Sequence, residues 1–334
     1  MAVFPDPAVF WQGKGRKWDL LEPKVANLVD EAVRKYDPDQ ALSVLLKNDI
    51  GHVTLFDSNF PPLLKELPDA PVILYFRGSA KNCANIALSI VGSRKFTSYG
   101  QKIARTMARE CVQNGLAVVS GLALGIDTEV HRTVVESGGI TIGVLACGLD
   151  QIYPISNSQL AESILAHDGA IVSEYPPGTL PMKQNFPARN RIIAGLSSGT
   201  LVIEAAADSG ALITAYQALE YNREVFAIPG NIDSFNSAGT NKLIQDGAKM
   251  VTKSEDIFVE LNISARKNES KVKKQVPESA EENMICDILK LGDLSANEIV
   301  NQSGMNVIAV NSIITILEMK GIVHNTGGGR YKLK

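Results

Sequence analysis

Between Asn185 and Thr214 the chain reads NFPARNRIIAGLSSGTLVIEAAADSGALIT. Arg189 and Arg191 stand beside Phe186 and Asn190, just ahead of an expected helix, and Lys183 precedes the phenylalanine. Further on, Ser209-Gly210 opens another helical stretch. A guanidinium is a planar fork of donors that matches a phosphate. An aromatic ring gives an unpaired base a face to stack on. A helix start kept open by small residues offers backbone N–H groups to an anion. These are the parts needed to hold a phosphodiester chain. None is an evident nucleophile, so they point to a protein that binds a polyanion and does not cut it.

The other chemistry-bearing residues fall where short apolar runs end. Ile90-Val91-Gly92-Ser93-Arg94 closes one run. Gly92 would admit a phosphate close to the backbone, Ser93 offers a hydroxyl and Arg94 a charged fork. A capped helix start with a solvated arginine would look the same from these residues alone. The strict G-x-G-x-x-G fingerprint is absent, which disfavours ordinary dinucleotide binding, and no cofactor is expected. Ser120-Gly121-Leu122-Ala123-Leu124-Gly125-Ile126-Asp127 is a second turn, with Gly121 a candidate for close ligand approach. His131 follows Asp127 by one helical turn. A general acid–base pair is conceivable there, but a structural histidine hydrogen-bonded at the sheet is the stronger reading. The loop from Gly148 to Pro154 reads as architectural, with Tyr153 a lining residue and Asn157 an N-cap for the next helix. Phe186 could sit in the core; the density of Lys183, Arg189 and Arg191 around it favours binding. Glu204, an awkward neighbour for phosphate, is expected to pair with Arg189 or Arg191 and orient it.

These loops need a scaffold that presents them together. Apolar runs at Ile86–Val91, Ala117–Val119, Thr141–Leu145, Ala170–Val172, Thr200–Ile203 and Val225–Ile228 do not alternate with polar residues, which suits parallel strands buried on both faces. Helical patterns such as Tyr99–Asn114 and Asp127–Ser137 supply the crossovers. The fold class is α/β, a doubly wound, Rossmann-like, mainly parallel sheet over residues 81–264. Before it, residues 1–80 carry helical patterns at Val25–Tyr36 and Asp39–Lys47, then proline-rich turns and a strand at Val72–Phe76; they read as a small helical N-terminal domain and linker. Residues 265–281 are polar and charged and read as a flexible linker. Residues 282–334 carry helical patterns at Glu282–Lys290, Ala296–Ser303 and Ala309–Lys320, then a hairpin around Gly327–Gly329, the pattern of a winged helix.

Composition sets limits. The 334 residues are 45% hydrophobic and 21% charged, with a net charge of −3, so the chain can build a large core and diffuse basicity cannot drive nucleic-acid binding. Any such site is a local patch. Cys83, Cys111, Cys147 and Cys286 are scattered, which argues against a metal site or a disulfide framework and fits a reducing cytoplasm. No signal peptide and no membrane span is expected.

The motifs VGSR, SGLALGID, GLDQIYP, SEYPPG, NFPARNRIIAGL, SGALITA and EVFAIPGNID, in this order, resemble the DNA-processing protein A (DprA, also called Smf) family over roughly Phe60–Phe258. The resemblance implies an extended Rossmann domain that binds single-stranded DNA in natural transformation, protects incoming strands, helps to load the RecA recombinase for homologous recombination, and works as a homodimer without catalysis. Carried over by motif, the implied DNA-binding residues are Gly92, Ser93, Arg94, Lys183, Phe186, Arg189, Arg191, Ser209 and Gly210, beside Gly121 and Asn190 from the reading above. Val130 stands where an alanine is expected, a conservative departure. The winged-helix tail carries five basic and five acidic residues, so it is expected to be a weak or auxiliary DNA contact or a protein-docking module. Two other functions compete. A phosphoribohydrolase-like nucleotide enzyme would use Glu204 and Arg94 in one closed pocket. A nucleotide-sensing transcription regulator would need a basic winged helix.

Overall fold

The computed structural model describes residues 22–263 and 279–333, apart from residues 36, 85, 291, 321 and 328. The chain divides into two compact units, one up to Arg266 and one from Lys267. The expected linker lies outside the described residues up to 278; its end, Ser279 to Glu281, instead caps and begins the first helix of the C-terminal unit.

Nine strands make the sheet of the first unit: β1 (Gly51–Thr54), β2 (Ile73–Gly78), β3 (Ala87–Val91), β4 (Ala117–Ser120), β5 (Thr141–Val144), β6 (Ala170–Ser173), β7 (Gly199–Val202), β8 (Glu224–Ala227) and β9 (Lys249–Met250). Their spatial order is β1-β2-β6-β5-β4-β3-β7-β8-β9. Every pairing from β6 across to β9 is parallel. Strands β3 to β7 are buried at every position, which is why their sequences are mainly apolar without alternation, each with a single small buried Ser or Thr. At the far edge β2 runs antiparallel to β6, with Tyr75 opposite Ser173, and β1 pairs with β2. The region before residue 80 is therefore not all separate from the sheet: its helices α1 (Pro23–Lys35) and α2 (Pro38–Lys47) precede two strands that extend the sheet itself.

The crossovers are α4 (Ser98–Gln113), α5 (Ile126–Glu136), α6 (Ser158–Ala166), α7 (Asn185–Gly195), α8 (Gly210–Glu220) and, between β8 and β9, α9 (Ala238–Gln245), with α3 (Pro62–Lys65) between β1 and β2 and α10 (Glu255–Glu260) after β9. On one face Met107 and Cys111 of α4 and Val130 and Val134 of α5 pack with Leu201 and Phe226. On the other, Ile192 and Ile193 of α7 and Ala211 and Ala215 of α8 pack with Leu64 and Leu67. A fully buried side chain such as Phe226 contributes roughly 1.5–3 kcal/mol. From β3 the chain winds outward through β4, β5 and β6, then returns to β7 beside β3 and winds the other way. The strand order therefore reverses between β3 and β7, the place where such sheets open a crevice at their carboxyl ends.

The C-terminal unit holds α11 (Ala280–Leu289), β10 (Leu294–Ser295), α12 (Ala296–Ser303), α13 (Val307–Met319), β11 (Val323–Gly327) and β12 (Arg330–Leu333), with sheet order β10-β12-β11. Ser295 and Glu298 form a reciprocal capping box at the start of α12. Gly304, at φ +67°, ends that helix, and Asn306 Oδ1 accepts from Ala309 N to start α13. Ile285, Ile299, Val310 and Leu317 close the core. This is the expected winged helix.

Candidate nucleic-acid interface

The turn Gly92-Ser93-Arg94 follows β3, and Ala205-Ala206 follows β7, so the two loops flank the reversal point. They line a cleft of about 690 Å3 open to solvent. Gly92, Ser93, Arg94, Phe186, Arg189, Asn190, Ser209 and Gly210 all line it. Ser93 N donates to the Glu204 carbonyl at 2.7 Å, tying the two loops together. At the start of α8, Ser209 Oγ accepts from Ala211 N at 3.3 Å, and Gly210 has open space where a side chain would be.

Helix α7 begins at Asn185, so Phe186, Arg189, Asn190 and Arg191 lie within the helix and not ahead of it. Pro187 sits in the first turn, where a proline's missing N–H is not needed. Phe186, Asn190 and Ile193 recur at helical spacing and form the face turned to the cleft. Residues two apart on a helix do not face each other. Arg189 and Arg191 consequently part company. Arg191 lies outside the cleft, paired with Glu174 at 2.6 Å and with Asp69 at 3.3 Å.

Arg189 reaches the cleft wall but is only 4% exposed. Its Nη1 donates to the carbonyls of Gly121, at 2.9 Å, and of Val144, bracing two strand ends. Burial pulls its pKa down to about 10, and the Asp127 carboxylate opposes that shift. Asp127 is itself pushed up by burial, with Arg189 and the Gly121 and Ala123 amides working to hold it down. A side chain at Gly121 would meet Arg189 Nη2 and Asp127 Oδ2, each at 2.8 Å, so this glycine makes room for two buried, oppositely charged groups. Gly92 makes similar room for Ile126, 2.8 Å from where its Cβ would be.

Arg94 is different. It is exposed, and among the described residues it forms no ion pair. Its guanidinium lies over the half-buried ring of Phe186, 5.6 Å from the centroid, and that of Arg189 lies at 6.0 Å. Tyr153 tilts against the same ring at 5.8 Å. Lys183 is exposed, two residues before α7, and lies outside the cleft lining.

Two expectations, for Glu204 and Asn157, need correction, and the structural reading of His131 holds. Glu204 pairs with neither arginine: it is 2% exposed and accepts from Thr97 N at 2.9 Å and Thr97 Oγ1 at 2.5 Å, supporting the start of α4. A nucleotide-cleaving reading thereby loses its glutamate. Asn157 does not cap α6 through its side chain; its Nδ2 donates to the Leu122 carbonyl and to Thr128 Oγ1, both at 2.9 Å. His131 is fully buried, shares a 2.7 Å hydrogen bond with Thr141 Oγ1, and has its pKa pushed down to about 3 by burial, with the Arg189 charge adding to the shift. It is a structural histidine. The sequence reading missed the loop after β8, where Ser234, Phe235 and Asn236 line the cleft. The available signal was a phenylalanine among polar residues beyond a strand's carboxyl end. Among the described residues no three His, Cys, Asp or Glu side chains are grouped to hold a metal ion, and no single helix is long and apolar enough to cross a membrane.

A doubly wound sheet with a cation-edged cleft at its reversal point, and a separate winged-helix unit, defines an extended Rossmann-type protein built to take a ligand along the strand ends. The family model described as DNA recombination-mediator protein A matches residues 51–262, and the DprA winged helix domain model matches residues 269–329. The chain belongs to the DNA recombination-mediator protein A family. It is 41% identical to the DNA processing protein DprA of Bacillus subtilis over 73% of this chain and 89% of that protein. It is 44% identical to the DNA processing protein DprA of Streptococcus pneumoniae over 62% of this chain and 73% of that one. The X-ray structure of DNA processing protein A from Streptococcus pneumoniae superposes with a TM-score of 0.65 at 40% identity, covering 70% of this chain and 82% of that chain. The Helicobacter pylori DNA processing protein A, whose structure was described for its single-stranded DNA binding mode, gives a TM-score of 0.57 at 32% identity, covering 64% of this chain and 97% of that one.

Proposed function

We propose that the cleft binds single-stranded DNA and that the protein acts by holding the strand, not by cutting it. The observation that carries this reading is Arg94: an exposed guanidinium with no ion-pair partner among the described residues, stacked 5.6 Å over the ring of Phe186 at the mouth of the cleft. A cation committed to no carboxylate is free to meet a phosphate, and the ring beside it is free to meet a base. The start of α8 adds backbone N–H groups. Arg189 and Gly121 serve this site from beneath, and Arg191 serves the packing of α7. The relative from Helicobacter pylori supports the choice of single-stranded DNA as ligand.

The same reading extends to protection of incoming strands in natural transformation, loading of RecA and action as a homodimer in the cytoplasm. Its support is the family membership of the chain. The direct test is fluorescence anisotropy with a labelled oligothymidylate. Arg94→Ala and Lys183→Ala should each weaken binding, and duplex of the same length should bind less well. Equal affinity for duplex, or affinity indifferent to salt, would remove the proposal. Strand exchange by RecA on DNA pre-coated with a single-strand binding protein tests the loading step: without stimulation by this protein, that part fails.

A further inference from the structure

Phe235 is 74% exposed, yet it is carried on a fixed backbone. It opens a 3-10 turn, Phe235–Ser237, in the loop between β8 and α9. Its neighbour Asn236 is tied on both sides: Nδ2 donates to the Lys95 carbonyl at 2.6 Å, and its own carbonyl accepts from Ala205 N at 2.8 Å. Ser237 is buried, and its N–H donates to the Ser234 carbonyl at 3.0 Å. The turn is thus anchored to the two loops that flank the reversal point. A single exposed apolar residue is ordinary on a protein surface, but this ring is held on an anchored backbone within the cleft. The ring lines the same 690 Å3 cleft as Phe186, which is presented from the other wall by α7. Arg94 and the Ser209-Gly210 helix start line that cleft too.

We propose that Phe235 is a second base-stacking platform, so that the cleft takes two unpaired bases of one strand, one on Phe186 and one on Phe235, with the intervening phosphate met by Arg94 and the start of α8. This rests on the single-stranded DNA reading above and names how that site grips bases. Stacking accepts any base because every base has a π-face, so the second platform adds affinity without adding sequence preference.

The experiment compares wild type, Phe235→Ala, Phe235→Trp and Phe186→Ala, all as full chains, on a labelled oligothymidylate and on an abasic oligonucleotide of equal length. Stacking on one aromatic predicts that Phe235→Ala weakens binding to oligothymidylate by about 5- to 150-fold, leaves abasic binding and its salt dependence unchanged, and is rescued by Phe235→Trp. If Phe235→Ala binds oligothymidylate as wild type does while Phe186→Ala and Arg94→Ala do not, the second platform is refuted and the cleft reading stands. If Phe235→Ala weakens both oligonucleotides alike, or lowers the molar mass in light scattering, the ring serves a contact between copies and the proposal is overturned. If neither Phe186→Ala nor Arg94→Ala weakens binding, it is the cleft reading itself that fails.

Discussion

Replacing Arg189 and replacing Arg94 should have opposite consequences, although the two guanidinium groups lie over the same phenylalanine ring. Arg189→Ala removes two donors from the carbonyls of Gly121 and Val144 and leaves Asp127 buried without its cation. Stranding two buried carbonyl acceptors and taking the nearby cation from a buried carboxylate together cost about 3–5 kcal/mol. For a domain of this size each kcal/mol moves the midpoint by about 2–4 °C, so the melting temperature should fall by roughly 6–20 °C. Adding Asp127→Asn should return part of that loss, because the uncompensated charge is gone. Arg94→Ala touches an exposed group with no ion-pair partner among the described residues, so the melting temperature should stay near wild type. Its loss should appear in binding. A charge-assisted contact is worth about 1.5–3 kcal/mol, or about 10- to 150-fold in affinity for a single strand. The slope of log K against log salt should flatten by about 0.7. Differential scanning fluorimetry and anisotropy on the same preparations separate the two effects. An Arg189→Ala protein that melts like wild type, or an Arg94→Ala protein that melts early and binds normally, would refute the division of labour.

Glu204→Gln should cost roughly 1 kcal/mol of stability by weakening the charge-assisted acceptance from Thr97, and should leave single-strand affinity unchanged; a large affinity loss without a stability loss would restore Glu204 to the ligand site. His131 should make the fold acid-sensitive: with its folded pKa near 3 against 6.5 for the free side chain, the unfolded state takes up the proton first, so stability falls as pH drops from about 6.5 towards 3. The full effect is roughly 3–5 kcal/mol, offset in part by Asp127, whose raised pKa works the other way, and His131→Gln should flatten this limb of a urea-denaturation series against pH. The C-terminal unit should bind duplex DNA only weakly, because Lys290, Lys320 and Arg330 already sit in ion pairs and α13 contains no lysine or arginine. A salt slope as steep as about −3 for that unit would overturn this expectation.

The strands of the sheet were legible because both of its faces are covered. Ala117–Val119 and Thr141–Leu145 are apolar without alternation, and each lies within a residue of β4 and β5. The short edge strands were not: Gly51–Thr54 has one buried residue of four and Lys249–Met250 has none, so neither carries an apolar signature. The site was half legible for a related reason. Residue type announces that a guanidinium, an aromatic and a Ser-Gly helix start lie close in sequence, but not which way each one points. In an extended segment Arg189 and Arg191 would share a side. The helix that begins at Asn185 turns them apart, one beneath the cleft floor and one towards Asp69 and Glu174. Pro187 made that helix look like a loop. Side-chain partners are equally invisible along the chain, since Arg189 meets the carbonyls of Gly121 and Val144, and Glu204 meets Thr97, only once β3, β4, β5 and β7 stand side by side. The basic residues that stand out most in the motif are therefore the ones the fold consumes. The ligand is left with the cations whose carboxylates the fold did not supply, and among the described residues Arg94 is the one of these that stands over an aromatic face.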